Sequence, residues 1–262
     1  MTPLPHSLER SIRIEASAET VFRYFTDSAR WAAWWGAGST IDARPGGAIH
    51  VRHPNGVEAS GEVVEIRPPE RIVFTYGYAS GKPMAPGSSR VTIELESQGQ
   101  STRLHLTHAF ADSEACAQHV QGWRYQLSVF ANVVADELHA GAAKLVDAWF
   151  HAWTITSDSD RTEALKQIAA PGLRFRNRFS YTEGIADLSA QIGATHRFMP
   201  GVRLERNGEV LHCQGSVLAP WVAVAKDGAE RMRGSSVFMV NAAGLIDAVT
   251  GFESQGAANR AG

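Results

Sequence analysis

Two kinds of side chain in this sequence could do chemistry. The first is a set of aromatic residues with one polar handle each: Trp34, Trp35, Tyr76 and Trp123 in the first half, Trp149, Trp153, Tyr181 and Trp221 in the second. Indole and phenol rings supply large apolar walls, and a single N–H or O–H fixes how a bound molecule is oriented. Core packing uses the same residues, so each ring taken singly has two readings, while the group favours a cavity. The second kind is a scatter of histidines and one acid. His105 and His108 stand three apart in an alternating segment, so they face opposite sides of a strand and cannot chelate one metal together. His50 and His53 fail in the same way. His108 shares its face with Leu104 and Leu106 and reaches the first cavity, unless it is a core histidine satisfied by a neighbour. His196 and His212 could supply an acid or base in the second half, although neither has a sequence-adjacent partner. Asp247 has the parity of Leu245 and Val249, set against the ordinary reading of a solvated carboxylate near a turn.

Whatever positions these residues is a well-supplied globular chain. Its 262 residues, 44% hydrophobic and 20% charged, suit one large domain or two ordinary ones. Residues 1–136 carry 12 Lys+Arg against 14 Asp+Glu and residues 137–262 carry 13 against 13, so neither half has the basic excess that drives phosphate-backbone binding. Nucleic acid is excluded as an expected partner. Cys116 and Cys213 have no CxxC or Cys/His spacing, which predicts free thiols, a reducing compartment and no structural zinc. No residue pattern calls for a metal or another cofactor. Met1–Arg10 has no apolar leader core and no apolar run reaches the roughly 18 residues of a membrane span, so the expectation is a cytoplasmic protein without a membrane partner.

The elements follow from periodicity. Ser11–Ala16 alternates as a half-buried strand, Ser17 reads as an N-cap, and Val21, Phe22 and Phe25 recur at helical spacing in a short helix ending near Asp27. Trp31, Trp34 and Trp35 then form a cluster that must be buried. From Ala48 to Thr107 short strands alternate with turn chemistry, Asn55-Gly56 being the strongest hairpin signal, because a type I′ turn needs positive φ at both central residues. Gly77–Ser89 is too poor in apolar residues to pack and reads as a mobile loop bordering a pocket. Val120, Trp123, Leu127, Phe130 and Val134 then trace one face of a long helix. A second pattern starts near Glu137: a helix through Leu145–Trp153, a shorter one over Thr162–Ala169, and a strand Leu173–Phe179 with Leu173, Phe175 and Phe179 on one face. A helix over Ile185–His196 precedes hairpins at Asn207-Gly208, Asp227-Gly228 and Ala243-Gly244. Pro220 beside Trp221 marks a strand edge or bulge. Ser254–Gly262 lacks bulk and reads as a frayed end. The class is α+β in two domains, 1–136 and 137–262, with the boundary around Asp136–Gly141.

The first half also resembles a known family. Glu19-Thr20-Val21-Phe22, Thr26-Asp27, Trp34-Trp35, Arg44-Pro45-Gly46-Gly47, Asn55-Gly56, Gly61-Glu62-Val63, Arg67-Pro68-Pro69-Glu70-Arg71-Ile72-Val73-Phe74, Thr107-His108 and Gly122-Trp123 together resemble the AHSA1-like family. That family belongs to the START-like (Bet v 1-like, SRPBCC) superfamily, and the likeness spans roughly residues 8–136. It implies a helix-grip fold whose long C-terminal helix lies across a curved sheet over an apolar cavity for a small hydrophobic molecule. The second half resembles a SnoaL-like domain through Tyr181-Thr182-Glu183-Gly184, His196, Met199-Pro200-Gly201, Trp221 and the ending Gly244–Phe252. This likeness implies an NTF2-like cone-shaped α+β barrel, a fold that hosts cyclases, isomerases, hydrolases and non-catalytic binders, and that in some relatives dimerises.

Those relatives imply where catalysis would sit. A cyclase or isomerase needs a carboxylate base in an apolar cup with a donor opposite, the arrangement for which ketosteroid isomerase is the standard worked case. The inward face of strand Leu173–Phe179 offers Asn177, which can donate a hydrogen bond but cannot accept a proton as a base. Ser236 stands where relatives carry a second acid. The reading is therefore binding of a hydrophobic small molecule in two cups, with Trp34, Trp35, Tyr76, His108, Trp123, Trp149, Trp153, Asn177, His212, Trp221 and Ser236 as contacts. The alternative is an enzyme in the second cup with Asp247 or His196 as acid/base and Tyr181 or Asn177 as donor. A co-chaperone role has less support, since no separate partner-binding segment is present.

Overall fold

The computed structural model describes residues 3–254 and divides into two compact units, Met1–Ala135 and Asp136–Gly262. The frayed end expected at Ser254–Gly262 lies, beyond Ser254, outside the described residues.

In the first unit, strand β1 (His6–Ile14) leads to helix α1 (Ala18–Phe22), a 3₁₀ turn Arg23–Phe25 and helix α2 (Ser28–Trp35). Strands β2 (Thr40–Ile41), β3 (Ala48–Arg52), β4 (Glu58–Arg67), β5 (Arg71–Tyr76), β6 (Ser89–Gln98) and β7 (Ser101–Phe110) follow, and then helix α3 (Ser113–Leu138). The sheet runs β1-β7-β6-β5-β4-β3-β2 with every neighbour antiparallel. A meander forms from β2 to β7, and β1 pairs beside its last strand. Ser17 caps α1 as its residue type predicts, its hydroxyl accepting the Thr20 N–H. Helix α2 is an addition to the sequence reading: Asp27, taken as the end of one helix, caps the next by accepting the Arg30 N–H at 2.8 Å. The tryptophan cluster thus sits on a helix, and Trp31, Trp34 and Trp35 are all buried. Helix α3 lays Trp123, Leu127, Phe130 and Val134 inward, with Phe130 stacked on Phe25 at 5.2 Å between ring centroids. The Gly77–Ser89 segment is tied down rather than mobile. Gly77 and Tyr78 bond Ser60 and Met84 through their backbones, Ala79 bonds Glu58, and the Met84 side chain is buried.

In the second unit, helices α4 (Ala142–Ala152) and α5 (Asp158–Ile168) precede β8 (Ala169–Arg176), β9 (Tyr181–Glu183) and helix α6 (Ile185–Phe198). The remaining strands are β10 (Arg203–Arg206), β11 (Leu211–Cys213), β12 (Ser216–Val224), β13 (Glu230–Val240) and β14 (Ile246–Glu253). Their order is β10-β12-β13-β14-β8-β9, with β11 also on β12 and β14–β8 the parallel pair. The sheet is open, and the apolar faces of α4, α5 and α6 fill the core against it. Helix α5 begins four residues earlier than expected because Ser157 caps it, accepting the Asp160 N–H.

Pro220 shows how a proline enters a strand. β12 pairs β11 over Ser216–Val217–Leu218 and β10 over Trp221–Val224, so Pro220 falls in the gap where no strand asks for its missing N–H. Both units are α+β, and none of the helices among the described residues is long and apolar enough to cross a membrane.

Candidate functional site

The first unit holds a cavity of about 350 Å³ between α3, the β3–β4 hairpin and the segment after β5. That volume lies at the small end of the range typical of small-molecule sites. Its lining residues come from separate elements for identifiable reasons. The hairpin contributes His53, Pro54 and Asn55, and Gly56 supplies the positive φ of 83° that turns the chain back. β5 ends in Tyr76, the following segment adds Tyr78, and α2 ends in Trp35. α3 presents His119, Gly122, Trp123 and Gln126, spaced three or four apart on one helical face, with Tyr125 beside them.

The walls are aromatic. Trp35 stacks near-parallel on Tyr76 at 6.1 Å and meets Trp123 edge-on at 5.6 Å, while Tyr76 meets Tyr78 edge-on at 5.7 Å. Hydrogen bonding fixes the polar groups. His119 Nδ1 lies 2.6 Å from the Ala115 carbonyl, which can only accept, so that nitrogen carries the proton and Nε2 accepts the Tyr78 hydroxyl at 3.0 Å. His53 Nε2 and the Tyr76 hydroxyl pair at 3.1 Å. The indole N–H of Trp35 is buried with no partner. Burial lowers the pKa of His53 and His119, and the charge of His119 acts on His53 in the same direction. Burial raises Tyr76 and Tyr78. Each of these four cavity-lining groups is therefore held in its uncharged form at neutral pH. Among the described residues, those lining the cavity include no Asp, Glu, Lys or Arg.

Of the residues singled out in the first half, Trp35, Tyr76 and Trp123 line this cavity and two do not. Trp34 lies against Trp35 at 4.3 Å between ring centroids and is wedged among Phe25, Trp31 and Phe130, behind the wall that Trp35 presents. His108 lies behind the wall, fully buried. The Trp123 indole N–H donates to its Nδ1 at 2.9 Å, and its Nε2–H donates to Ser89 Oγ at 2.8 Å, whose own proton goes to the Tyr76 carbonyl. It positions two wall residues without touching the cavity. His53, Tyr78, His119 and Gln126 were missed, although the i, i+4, i+7 spacing of His119, Trp123 and Gln126 was there to be read.

The second-half candidates separate. Trp149, Trp153 and Trp221 are packed in the core with Phe175 and Phe238. β8 stops at Arg176, so Asn177 and Phe179 are not on its inward face: Phe179 is 68% exposed, and Asn177 forms the turn to β9. Its side-chain oxygen accepts the N–H groups of Phe179 and Ser180 and the Ser180 hydroxyl. Asn177→Ala should therefore cost about 1 kcal/mol of stability in denaturant unfolding. Asn177→Asp, which keeps the accepting oxygen, should fall within roughly 0.5 kcal/mol of the parent. Tyr181 is 60% exposed, and its hydroxyl donates to Glu183. Ser236 is buried beside Gly251, which also adjoins Asn177.

The remaining candidates lie elsewhere. Asp247 departs from its expected parity because a bulge between Ile246 and Ala248 turns Ile246, not Leu245, inward; it accepts the Asn241 side-chain amide at 2.7 Å. His196 Nε2 donates to the Trp153 carbonyl at 2.8 Å. His212 does have partners, distant in sequence: Asp136 at 2.8 Å and His139 at 3.1 Å, with His139 reaching the Asn241 carbonyl at 3.0 Å. His212 and Asp247 thus share a chain of polar contacts through His139 and Asn241. Asn177 lies near the far end of β14, beside Gly251. The proposed acid and its proposed donor do not meet. Among the described residues no group of three or more His, Cys, Asp or Glu is placed to hold a metal ion.

This geometry agrees with family comparison. Residues 15–135, a little under half of the chain, match the family described as Activator of Hsp90 ATPase homolog 1-like protein. No curated protein matches the chain. Similar solved structures include a protein of the SnoaL-like family from Agrobacterium tumefaciens, provisionally called an isomerase. It is 24% identical over 45% of this chain and 99% of its own, with a TM-score of 0.42. CalU16 from Micromonospora echinospora is 27% identical over 50% of this chain and 78% of its own, TM-score 0.42. Mll3558 from Rhizobium loti is 27% identical over 48% and 94%, TM-score 0.42.

Proposed function

We propose that the protein binds a small, largely apolar molecule in the cavity of its first unit. One observation carries this reading: an aromatic-walled space of about 350 Å³ whose lining has no Asp, Glu, Lys or Arg. The second unit enters this reading as a packed companion, since Trp149, Trp153 and Trp221 fill its core.

Gly122 provides the test. It lies within α3, lines the cavity, and a Cβ built on it meets nothing within 4 Å. Gly122→Leu replaces a poor helix former with a good one, worth up to about 1 kcal/mol, while its side chain grows into the open space. The expected result with the uncharged fluorophore N-phenyl-1-naphthylamine is saturable binding to the parent, at least a tenfold loss in Gly122→Leu, and an unchanged or higher unfolding midpoint. Equal affinity in both proteins would remove the ligand from this cavity.

A further inference from the structure

The hydrogen bonds of the cavity wall form one chain with one direction. It starts at the Ala115 carbonyl, which can only accept, so His119 Nδ1 at 2.6 Å carries a proton and His119 Nε2 accepts the Tyr78 hydroxyl at 3.0 Å. The bond between the two phenols makes Tyr76 harder to ionise and Tyr78 easier, as a donor and its acceptor should be, so the Tyr76 hydroxyl donates to Tyr78. With that proton spent, the Tyr76 oxygen accepts from His53 Nε2 at 3.1 Å, and the His53 proton sits on that nitrogen. One backbone carbonyl on α3 thus places the protons of His119, Tyr78, Tyr76 and His53. The chain leaves one nitrogen lone pair open. His53 Nδ1 is bonded to no group among the described residues and is not sealed from solvent, on a ring that lines the cavity.

Resting on the reading above, we infer that this chain is a one-proton switch on the cavity: the site holds its ligand while His53 is neutral and releases it when His53 Nδ1 takes up a proton.

The competition follows from solvation. No Asp or Glu lines the cavity, so an imidazolium at His53 depends on water for its charge, and a ligand expels that water. Burial already holds His53 below its ordinary 6.5, and the charge of His119 opposes a second proton. The neighbours of the ring supply no anion: α2 contributes Trp35, β5 Tyr76, the next segment Tyr78 and α3 His119. The charges of its own hairpin are engaged with one another, Glu58 lying 3.7 Å from His50 and 4.0 Å from Arg52. An uncharged ligand therefore lowers the His53 pKa further, and by linkage a proton weakens the ligand by the same factor. Affinity should be constant well above pH 6.5 and should fall below it by no more than about tenfold per pH unit, as a single proton requires.

The test titrates the full chain with N-phenyl-1-naphthylamine, uncharged throughout, from pH 8 to pH 5. The parent should bind at least threefold more weakly at pH 5 than at pH 7.5. His53→Gln can still donate to Tyr76 but takes up no proton in this range, so its affinity should vary by less than twofold. A flat parent profile overturns the switch and leaves the cavity a binding site. An undiminished slope in His53→Gln also overturns it, because the titrating group would then lie elsewhere. Nitrogen-15 NMR of the parent gives a second readout that needs no variant. Neutral His119 should carry its proton on Nδ1 and neutral His53 on Nε2, and saturating fluorophore should move the His53 titration to lower pH. Opposite tautomers, or a titration that the fluorophore leaves in place, overturn the inference. No binding at any pH overturns the reading on which it rests.

Discussion

Lowering the pH from 6.5 to 4.5 should remove roughly 2 kcal/mol from the stability of the first unit through His108 alone. His108 is fully buried, and burial, reinforced by the charge of His119, pushes its pKa down to about 2 from an ordinary 6.5. The unfolded chain therefore takes up a proton below pH 6.5 that the folded chain refuses until about pH 2. Stability from this group is complete well above pH 6.5, starts to fall as pH nears that value, and approaches a loss of about 1.4 kcal/mol for each pH unit below it. The hydrogen bonds give the same answer. Nδ1 accepts from Trp123, so a proton placed there would face an indole N–H and eject it. His53 and His119, whose pKa values are also lowered, act in the same direction. Urea unfolding of the parent and of His108→Gln, at pH 6.5 and 4.5, isolates the effect, because carboxylate protonation is common to both proteins. The variant should be less stable at pH 6.5, yet its loss on acidification should be smaller by roughly 2 kcal/mol. Parallel losses in the two proteins would show that His108 is not held neutral. The variant should also bind the fluorophore less tightly, since Trp123 loses its anchor.

His108 also marks how far the sequence could be read. Its face was legible from strand alternation, as were the meander, the Asn55-Gly56 hairpin and the inward face of α3, because each depends on a period of 2 or 3.6. Its partners were not. Trp123 and Ser89 lie 15 and 19 residues away, and nothing local ties them together. Trp35, Tyr76 and Trp123 could be named as wall residues by size alone. Tyr78 and His119, 41 residues apart, acquire meaning only when the segment after β5 folds over α3. The same blindness hid the link between His212 and Asp136, 76 residues away. Where alternation itself failed, the cause was local: a bulge at Asp247 shifts the parity, and Asn177's own turn chemistry ends β8 before it. Helix α2 escaped because its apolar residues Trp31, Trp34 and Trp35 fill one short segment with too few repeats to show a period.

The largest single loss in the second unit should come from Arg161, which no pattern in the sequence distinguished. It sits on α5 at 0% exposure. Its Nε donates to the backbone and hydroxyl oxygens of Ser189 on α6, both at 3.1 Å, and Nη1 to the Ile155 carbonyl at 2.9 Å, while Nη2 pairs with Asp158. One guanidinium thus joins α5, α6 and the α4–α5 connection. Asp158 is largely exposed, so little of the binding is a buried ion pair; most of it is the buried hydrogen bonding to Ser189 and the part-buried bond to the Ile155 carbonyl. Arg161→Met fills part of the volume but orphans those acceptors, and should cost about 2–4 kcal/mol. Arg161→Lys keeps the charge without the fork and should recover only part of that loss. Gly193 supplies an independent check, since it tolerates its place inside α6 only because the guanidinium needs the room: a Cβ there would lie 3.0 Å from Arg161 Nη2 and 3.3 Å from Asp158 Oδ1. Gly193→Ala, ordinarily stabilising within a helix by up to about 1 kcal/mol, should here destabilise. In the Arg161→Met background that penalty should vanish or reverse, because the group it collides with is gone. Additive losses in the double variant would mean that Gly193 and Arg161 do not share this space, and that the arginine's contribution arises elsewhere.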